Sequence, residues 1–260
     1  MFGEEIRASI HRMKEMPFEK VEIRSVDGLI LRGRYLDAGY NKTAICFHGY
    51  HTNAFNNFSN IGEFLISEGF NLLLVDERCA GESEGKVVTL GLKESLDVKS
   101  WVRFATSRNA SEILIYGMSM GATSVGLGSD RLKNTAVKGM VLDCGYASPR
   151  DQLLKQANDR HVPGIVMLPV IWLMAKLVLR IDIYDTVMNH LENSKIPAFF
   201  IHAKTDKMVP IEDTQKAYDS LKAPKMKLFT ENGGHTTAFL AGGDKSKDML
   251  HTFIQANFET

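Results

Sequence analysis

The sequence predicts an α/β fold: a mainly parallel sheet of about eight strands, helices on both faces, and a leading antiparallel hairpin. Three observations carry this. Short apolar runs rich in β-branched and aromatic residues alternate with helical patterns, as in a parallel sheet covered on both sides. Two alternating runs near the start are joined by Asp27-Gly28, a strong hairpin signal. One stretch, from Ser148 to Ser194, carries helical pattern and no strand.

The elements follow in chain order. Ile6, Ile10 and Met13 share a helical face. The segment MFGEEIRASIHRMKEM lacks the long apolar core of a secretory signal, so an amphipathic helix and a cytoplasmic setting are expected. Phe18–Ser25 and Leu29–Leu36 form the hairpin. The runs 43–47, 70–75, 113–116, 137–142 and 196–201 are the buried strands, and Met226–Phe229 is a weaker last one. Between them, Phe58, Ile61 and Leu65 mark one helix, and Leu92, Leu96 and Val102 another. Small residues from Gly121 to Leu132 form a third. Ile211–Leu221 follows a proline, a normal helix start, and Ser246–Phe258 is the last. The strandless stretch of about 47 residues far exceeds an ordinary loop. One domain over 1–260 with a helical cap at about 148–194 is the expected organisation.

Composition removes several functions. Lys plus Arg and Asp plus Glu are both 31, against the basic excess of a nucleic-acid binder. That balance gives no sign of an anionic-membrane binder either. Three cysteines in 260 residues are no disulfide scaffold, and Cys46 and Cys144 read as buried free thiols. Val162–Ile181 approaches the lower length of a membrane span. Pro163, Gly164, Pro169 and Lys176 interrupt it and Arg180 closes it, so a partly exposed apolar lid is expected and no span.

Gly-x-Ser-x-Gly occurs twice, at Gly117–Gly121 and Gly81–Gly85, so context must decide. A serine nucleophile stands at a sharp strand-to-helix turn, with small residues two positions either side. The helix start then offers N–H groups to a developing oxyanion. Ser119 meets each demand, between the run 113–116 and the helical segment from Gly121. Ser83 meets none: its strand ended at Val75, and Glu82 and Glu84 oppose a negative transition state. Gly81–Gly85 reads as a surface turn.

A serine needs a base and an orienting acid, here in the chain order nucleophile, acid, base. His190, His202, His235 and His251 follow Ser119. His202 lies in a strand, His190 in the insertion and His251 in the last helix. His235 follows Glu231-Asn-Gly-Gly, a flexible loop after the last strand, and is the expected base. Asp206 follows the preceding strand and is the expected acid, with Asp143 ranked second. The oxyanion donors are expected at the Met120 and Tyr50 N–H groups. His48 props the Tyr50 loop, and His51 borders the pocket.

Four segments together resemble the α/β-hydrolase superfamily across nearly the whole chain, in particular bacterial serine hydrolases and esterases with a helical cap. They are His48-Gly-Tyr50, Asp76-Glu-Arg78-Cys-Ala-Gly-Glu-Ser-Glu-Gly85, Gly117-Met-Ser-Met-Gly-Ala122 and Ile201-His-Ala-Lys-Thr-Asp206-Lys-Met-Val-Pro210. Ala80 stands where the family pattern commonly has His, and Ala203 where it has Gly. The resemblance implies the α/β-hydrolase fold and a Ser119–His235–Asp206 triad, but no particular substrate. The expected function is hydrolysis of carboxylic esters with small to medium apolar acyl or aryl parts through an acyl-enzyme on Ser119, with no cofactor or metal implied. A peptidase or amidase with the same triad is the alternative, followed by a non-catalytic ligand-binding protein. Arg150, Asp151 and Arg180 are the charged cap residues that could hold a peptide terminus.

Overall fold

The computed structural model describes residues 3–162 and 164–259. Pro163, one of the expected interruptions of the apolar run, lies outside them. Eight strands form one sheet: β1 (Glu19–Arg24), β2 (Ile30–Leu36), β3 (Lys42–Phe47), β4 (Phe70–Val75), β5 (Glu112–Met118), β6 (Val137–Asp143), β7 (Ala198–Ala203) and β8 (Lys225–Thr230). The helices are α1 (Gly3–Lys14), α2 (Ala54–Ser67), α3 (Glu94–Ser107), α4 (Met120–Gly128), α5 (Pro149–Asp159), α6 (Gly164–Met174), α7 (Val187–Leu191), α8 (Ile211–Ser220) and α9 (Ala238–Asn257).

Strand order is β1-β2-β4-β3-β5-β6-β7-β8. The pairs β1–β2 and β2–β4 are antiparallel, and all pairs from β4–β3 to β7–β8 are parallel. Gly28 has φ +93° at the hairpin turn, a backbone state open to glycine at little cost. In the central strands alternate side chains enter opposite layers. Ile45, Phe47, Leu73, Val75, Ile113 and Ile115 pack into one core with Trp101, Val125 and Val187. Ala44, Cys46, Leu72, Leu74, Leu114 and Tyr116 pack into the other with Met13, Phe58 and Phe253. Both faces are therefore buried, the physical reason these strands read as unbroken apolar runs.

Strand positions follow the sequence reading within a few residues; helix ends differ more. Leu92 precedes α3 and does not lie in it. The small-residue helix ends at Gly128 and continues as a 3-10 turn, Ser129–Leu132. The last helix starts at Ala238, eight residues early, and is broken at Gly243 (φ +55°, ψ −133°). Between β6 and β7 the described residues contain no strand. There α5 opens on the Ser148 cap, whose side chain accepts from the Asp151 N–H. Pro149 begins the helix, as its fixed φ favours. The apolar helix α6 runs into a π-helical turn, Ala175–Leu179, and stops at Arg180 in the left-handed region. Among the described residues no helix is long and apolar enough to cross a membrane.

Candidate active site

β5 and α4 meet at Ser119, which has φ +55° and ψ −117°, a strained state for a residue with a side chain. The glycines explain how the turn is tolerated. A Cβ at Gly117 would lie 2.5 Å from Gly121 O, and one at Gly121 would run into Phe47 O. The Ser119 N–H is held by Asp143 O at 2.8 Å, and Ser119 O accepts from the Thr123 N–H. Strand end and helix start are thereby locked, and the hydroxyl projects into a cleft of about 310 Å³ that also contains His235, Tyr50, His51 and Leu90.

His235 sits after β8, where Gly233 takes φ +125°. Its Nε2 lies 2.7 Å from Ser119 Oγ and its Nδ1 2.7 Å from Asp206 Oδ2. With the proton on Nδ1, donated to the carboxylate, Nε2 is free to accept from the serine hydroxyl. Asp206 lies in the loop after β7. Its Oδ1 accepts from the Met208 and Val209 N–H groups at 2.8 and 3.1 Å. Burial pushes the Asp206 carboxyl up, but hydrogen bonds from His202 and His235 outweigh it and hold the group well below the usual carboxylate range.

His202 is a partner the sequence reading set aside as a strand histidine. It is fully buried in β7, with Nδ1 2.6 Å from Thr214 Oγ1 and Nε2 3.2 Å from Asp206 Oδ2 and 3.1 Å from Val209 O. Two acceptors face Nε2, so the proton belongs there and the Thr214 hydroxyl donates to Nδ1. His202 thus pins the same carboxylate oxygen that His235 uses. It lies near the end of β7, four residues before Asp206, a spacing that does not set it apart from a core histidine.

Asp143 is placed differently. It is fully buried at the end of β6, and its Oδ2 accepts from the Tyr116 hydroxyl at 3.1 Å while Oδ1 has no partner. Burial raises its pKa to about 6, opposed by Tyr116 and the neighbouring His202 and His235. The structure therefore sets Asp206, and not Asp143, on the His235 ring.

The Tyr50 loop abuts the nucleophile: a Cβ at Gly49 would lie 3.2 Å from Ser119 Cβ. Asn57 Oδ1 accepts from the Gly49 N–H at 2.8 Å. Buried His48 links the loop to the segment after β4, with Nδ1 2.7 Å from Gly49 O and Nε2 accepting from the Glu77 N–H. Burial pushes the His48 pKa down, in keeping with a neutral prop. Met120 is the first residue of α4, so its N–H is one of those a helix start leaves free. Among the described residues neither it nor the Tyr50 N–H meets an acceptor.

The other serine motif has a structural task. Ser83 Oγ donates to Asp76 O at 2.6 Å and accepts from the Arg32 N–H at 2.7 Å. Glu82 beside it pairs with Lys20 and Arg34. His190 is engaged by Asp185 and Asp130, and His251 by Glu68. Cys144, Asp206 and His235 offer ligand atoms within 4.8 Å of one another. They fit a metal poorly: burial keeps the Cys144 thiol protonated, whereas a metal needs thiolate, and the other two are already paired.

No protein-family model matches the chain. It is similar to the uncharacterized protein YqkD of Bacillus subtilis, 26% identical over 97% of this chain and 83% of that protein. It is also similar to the uncharacterized protein YfhR of Salmonella typhi, 27% identical over 91% and 81%. Among solved structures, an esterase of Pyrococcus furiosus superposes with a TM-score of 0.77 at 24% identity, covering 95% of this chain and 96% of that one. The α/β hydrolase GrgF of Penicillium gives 0.72 at 19%, covering 93% and 99%. An esterase of Exiguobacterium antarcticum gives 0.67 at 16%, covering 90% and 99%. At these identities the likeness speaks for the fold, and the chain has the α/β-hydrolase fold, with esterases among its structural neighbours.

Proposed function

We propose that the protein is a serine hydrolase that cleaves carboxylic esters through an acyl-enzyme on Ser119. The observation that carries this is the hydrogen-bonded line Ser119 Oγ–His235 Nε2 and His235 Nδ1–Asp206 Oδ2, both steps 2.7 Å. His235 takes the hydroxyl proton as Ser119 attacks the acyl carbon. The Met120 and Tyr50 N–H groups hold the oxyanion. His235 then gives its proton to the leaving alcohol, and a water activated by the same ring releases the acid. Asp206 fixes the ring and balances the imidazolium charge.

The cleft favours esters over peptides. Its walls are Gly49, Tyr50, His51, Thr52, Asn57, Leu90, Tyr146, Gln152, Gln156, Met208 and Thr236 around the two catalytic side chains, with no Asp, Glu, Lys or Arg among the described lining residues. Arg150 and Asp151 pair with each other, and Arg180 is exposed beyond α6. None of the three stands ready for a peptide terminus. We take the insertion 148–194 as part of a single domain, with α5 and α6 as its cap. Val187 and Leu191 of α7 belong to the main core.

Matched aryl esters and anilides test the reading. Ester turnover should exceed anilide turnover, and Ser119→Ala should lower kcat by roughly 10⁴-fold or more. Equal turnover by wild type and Ser119→Ala would remove the assignment, and faster anilide cleavage would turn it to an amidase.

A further inference from the structure

The cap helix α6 is apolar on every side. A helix of that kind is normally buried. Here Leu168 and Ala175 face inward, with Ile183 packed beside them. The outward face is equally apolar and open: Ile165 is 72% exposed, Val166 70% and Leu177 69%, with Val170, Leu173, Met174 and Val178 also exposed. Positions 166, 170, 173 and 177 are spaced as one stripe. A continuous exposed apolar stripe on a folded chain marks an interaction surface.

Two further observations say what covers it. The first is charge. From residue 160 to 181 the chain has three cations, Arg160, Lys176 and Arg180, and no Asp or Glu. All three are exposed. The preceding Asp159 is engaged by Lys155 at 3.2 Å, and the following Asp182 accepts from the Tyr184 N–H. The zero net charge of the whole chain conceals this local excess. Trp172 lies at the edge of the stripe with Lys176 Nζ over its ring at 5.2 Å. An exposed apolar stripe, flanking cations and an edge tryptophan together suit the boundary of an anionic lipid surface.

The second is continuity with the cleft. Val170 of the stripe and its exposed neighbour Met174 also wall an apolar cavity of about 290 Å³ beneath α6. Leu90 lines both that cavity and the cleft that contains Ser119. The stripe, the cavity and the nucleophile are thus joined by shared walls. Shared walls between an outward apolar face and the cleft of Ser119 suit a lipid phase better than a second copy of the chain.

We infer that the outer face of α6 docks on an anionic phospholipid bilayer, lying in the interface without crossing it. Docking does not depend on ester cleavage, so Ser119→Ala separates the two claims: it should bind vesicles like wild type. The whole protein is mixed with phosphatidylcholine vesicles with and without phosphatidylglycerol. Sedimentation gives the bound fraction. Tryptophan emission gives the site, because Trp101 is buried in the core and Trp172 lies at the stripe. Binding should be far stronger to the anionic vesicles, weaken with salt, and shift emission to the blue. Replacing Ile165, Val166 and Leu177 together by Gln should weaken it at least about a hundredfold. Arg160→Gln with Lys176→Gln should weaken anionic binding roughly thirtyfold. All these side chains are exposed, and unchanged thermal unfolding checks that each variant is folded. Protein left in the supernatant with anionic vesicles overturns the inference. So does wild-type binding by the triple Gln variant, or a dimer in ultracentrifugation that those three substitutions dissociate.

Discussion

Two aspartates with buried side chains near His235 have opposite electrostatics, and the difference supports Asp206 as the proposed orienting acid. Asp206 is held low by two histidines and two backbone N–H groups. Asp143 is raised to about 6 by burial. An acid that must stay ionised beside an imidazolium should be the former. Asp206→Asn should lower kcat by about 10³- to 10⁴-fold, because an amide cannot hold the ring as the carboxylate does. Asp143→Asn should spare most activity and change stability instead. A carboxyl raised in the folded state contributes stability that is full below its ordinary range and is lost as pH rises through about 6. Between acid and neutral pH the wild type should therefore lose on the order of 3 kcal/mol relative to Asp143→Asn. Urea unfolding at a series of pH values checks this, and parallel curves would refute it. Ser119, His235 and Asp206 were legible because each occupies a strand-end loop in the required chain order. The part of His202 was not, since a strand histidine facing Asp206 reads like one facing only core.

At the level of elements, the β5–α4 turn is the least forgiving. The Gly121 position admits no Cβ because Phe47 O occupies the space. Gly121→Ala should cost on the order of 3 kcal/mol or more and misplace Ser119, seen as a large drop in Tm together with lost turnover. A fully stable, active variant would show that the turn can open. Strand positions were readable to within a few residues, because burial on both faces leaves uninterrupted apolar runs such as Phe70–Val75. Helix ends were less so. The start of α9 is set by the packing of Ala238 and Phe239 against the sheet, and Gly243 then interrupts the helical pattern. The outward face of α6 was the hardest feature to read. Helical periodicity cannot separate an inner from an outer apolar side when both are apolar.

Across the whole molecule, the leading hairpin joins the sheet through the β2–β4 ladder, and its turn is tied to α3 by a buried cation. Arg78 is buried and donates from Nε and Nη2 to Asp97 of α3, both at 2.8 Å, and from Nη1 and Nη2 to Asp27 of the hairpin turn at 3.0 and 3.2 Å. Removing one partner of such a pair strands the rest. Arg78→Met should destabilise by about 3–5 kcal/mol, measured by denaturant midpoint. Arg78→Lys should recover only part of that, since a lysine lacks the planar fork. An unchanged midpoint would show that the β2–β4 ladder and the apolar face hold the hairpin without this cation. The same cluster places Glu77, and through it His48 and the Tyr50 loop, beside the nucleophile. Fold stability and the placement of the Tyr50 loop thus share one support. The central claim is that Ser119 carries the acyl group, and covalent trapping tests it most directly. Wild-type protein treated with an alkyl fluorophosphonate should gain one adduct, mapped by peptide mass to Ser119, with labelling abolished in Ser119→Ala and slowed by several orders of magnitude in His235→Ala. An unlabelled wild type, or an adduct on Ser83, would contradict it.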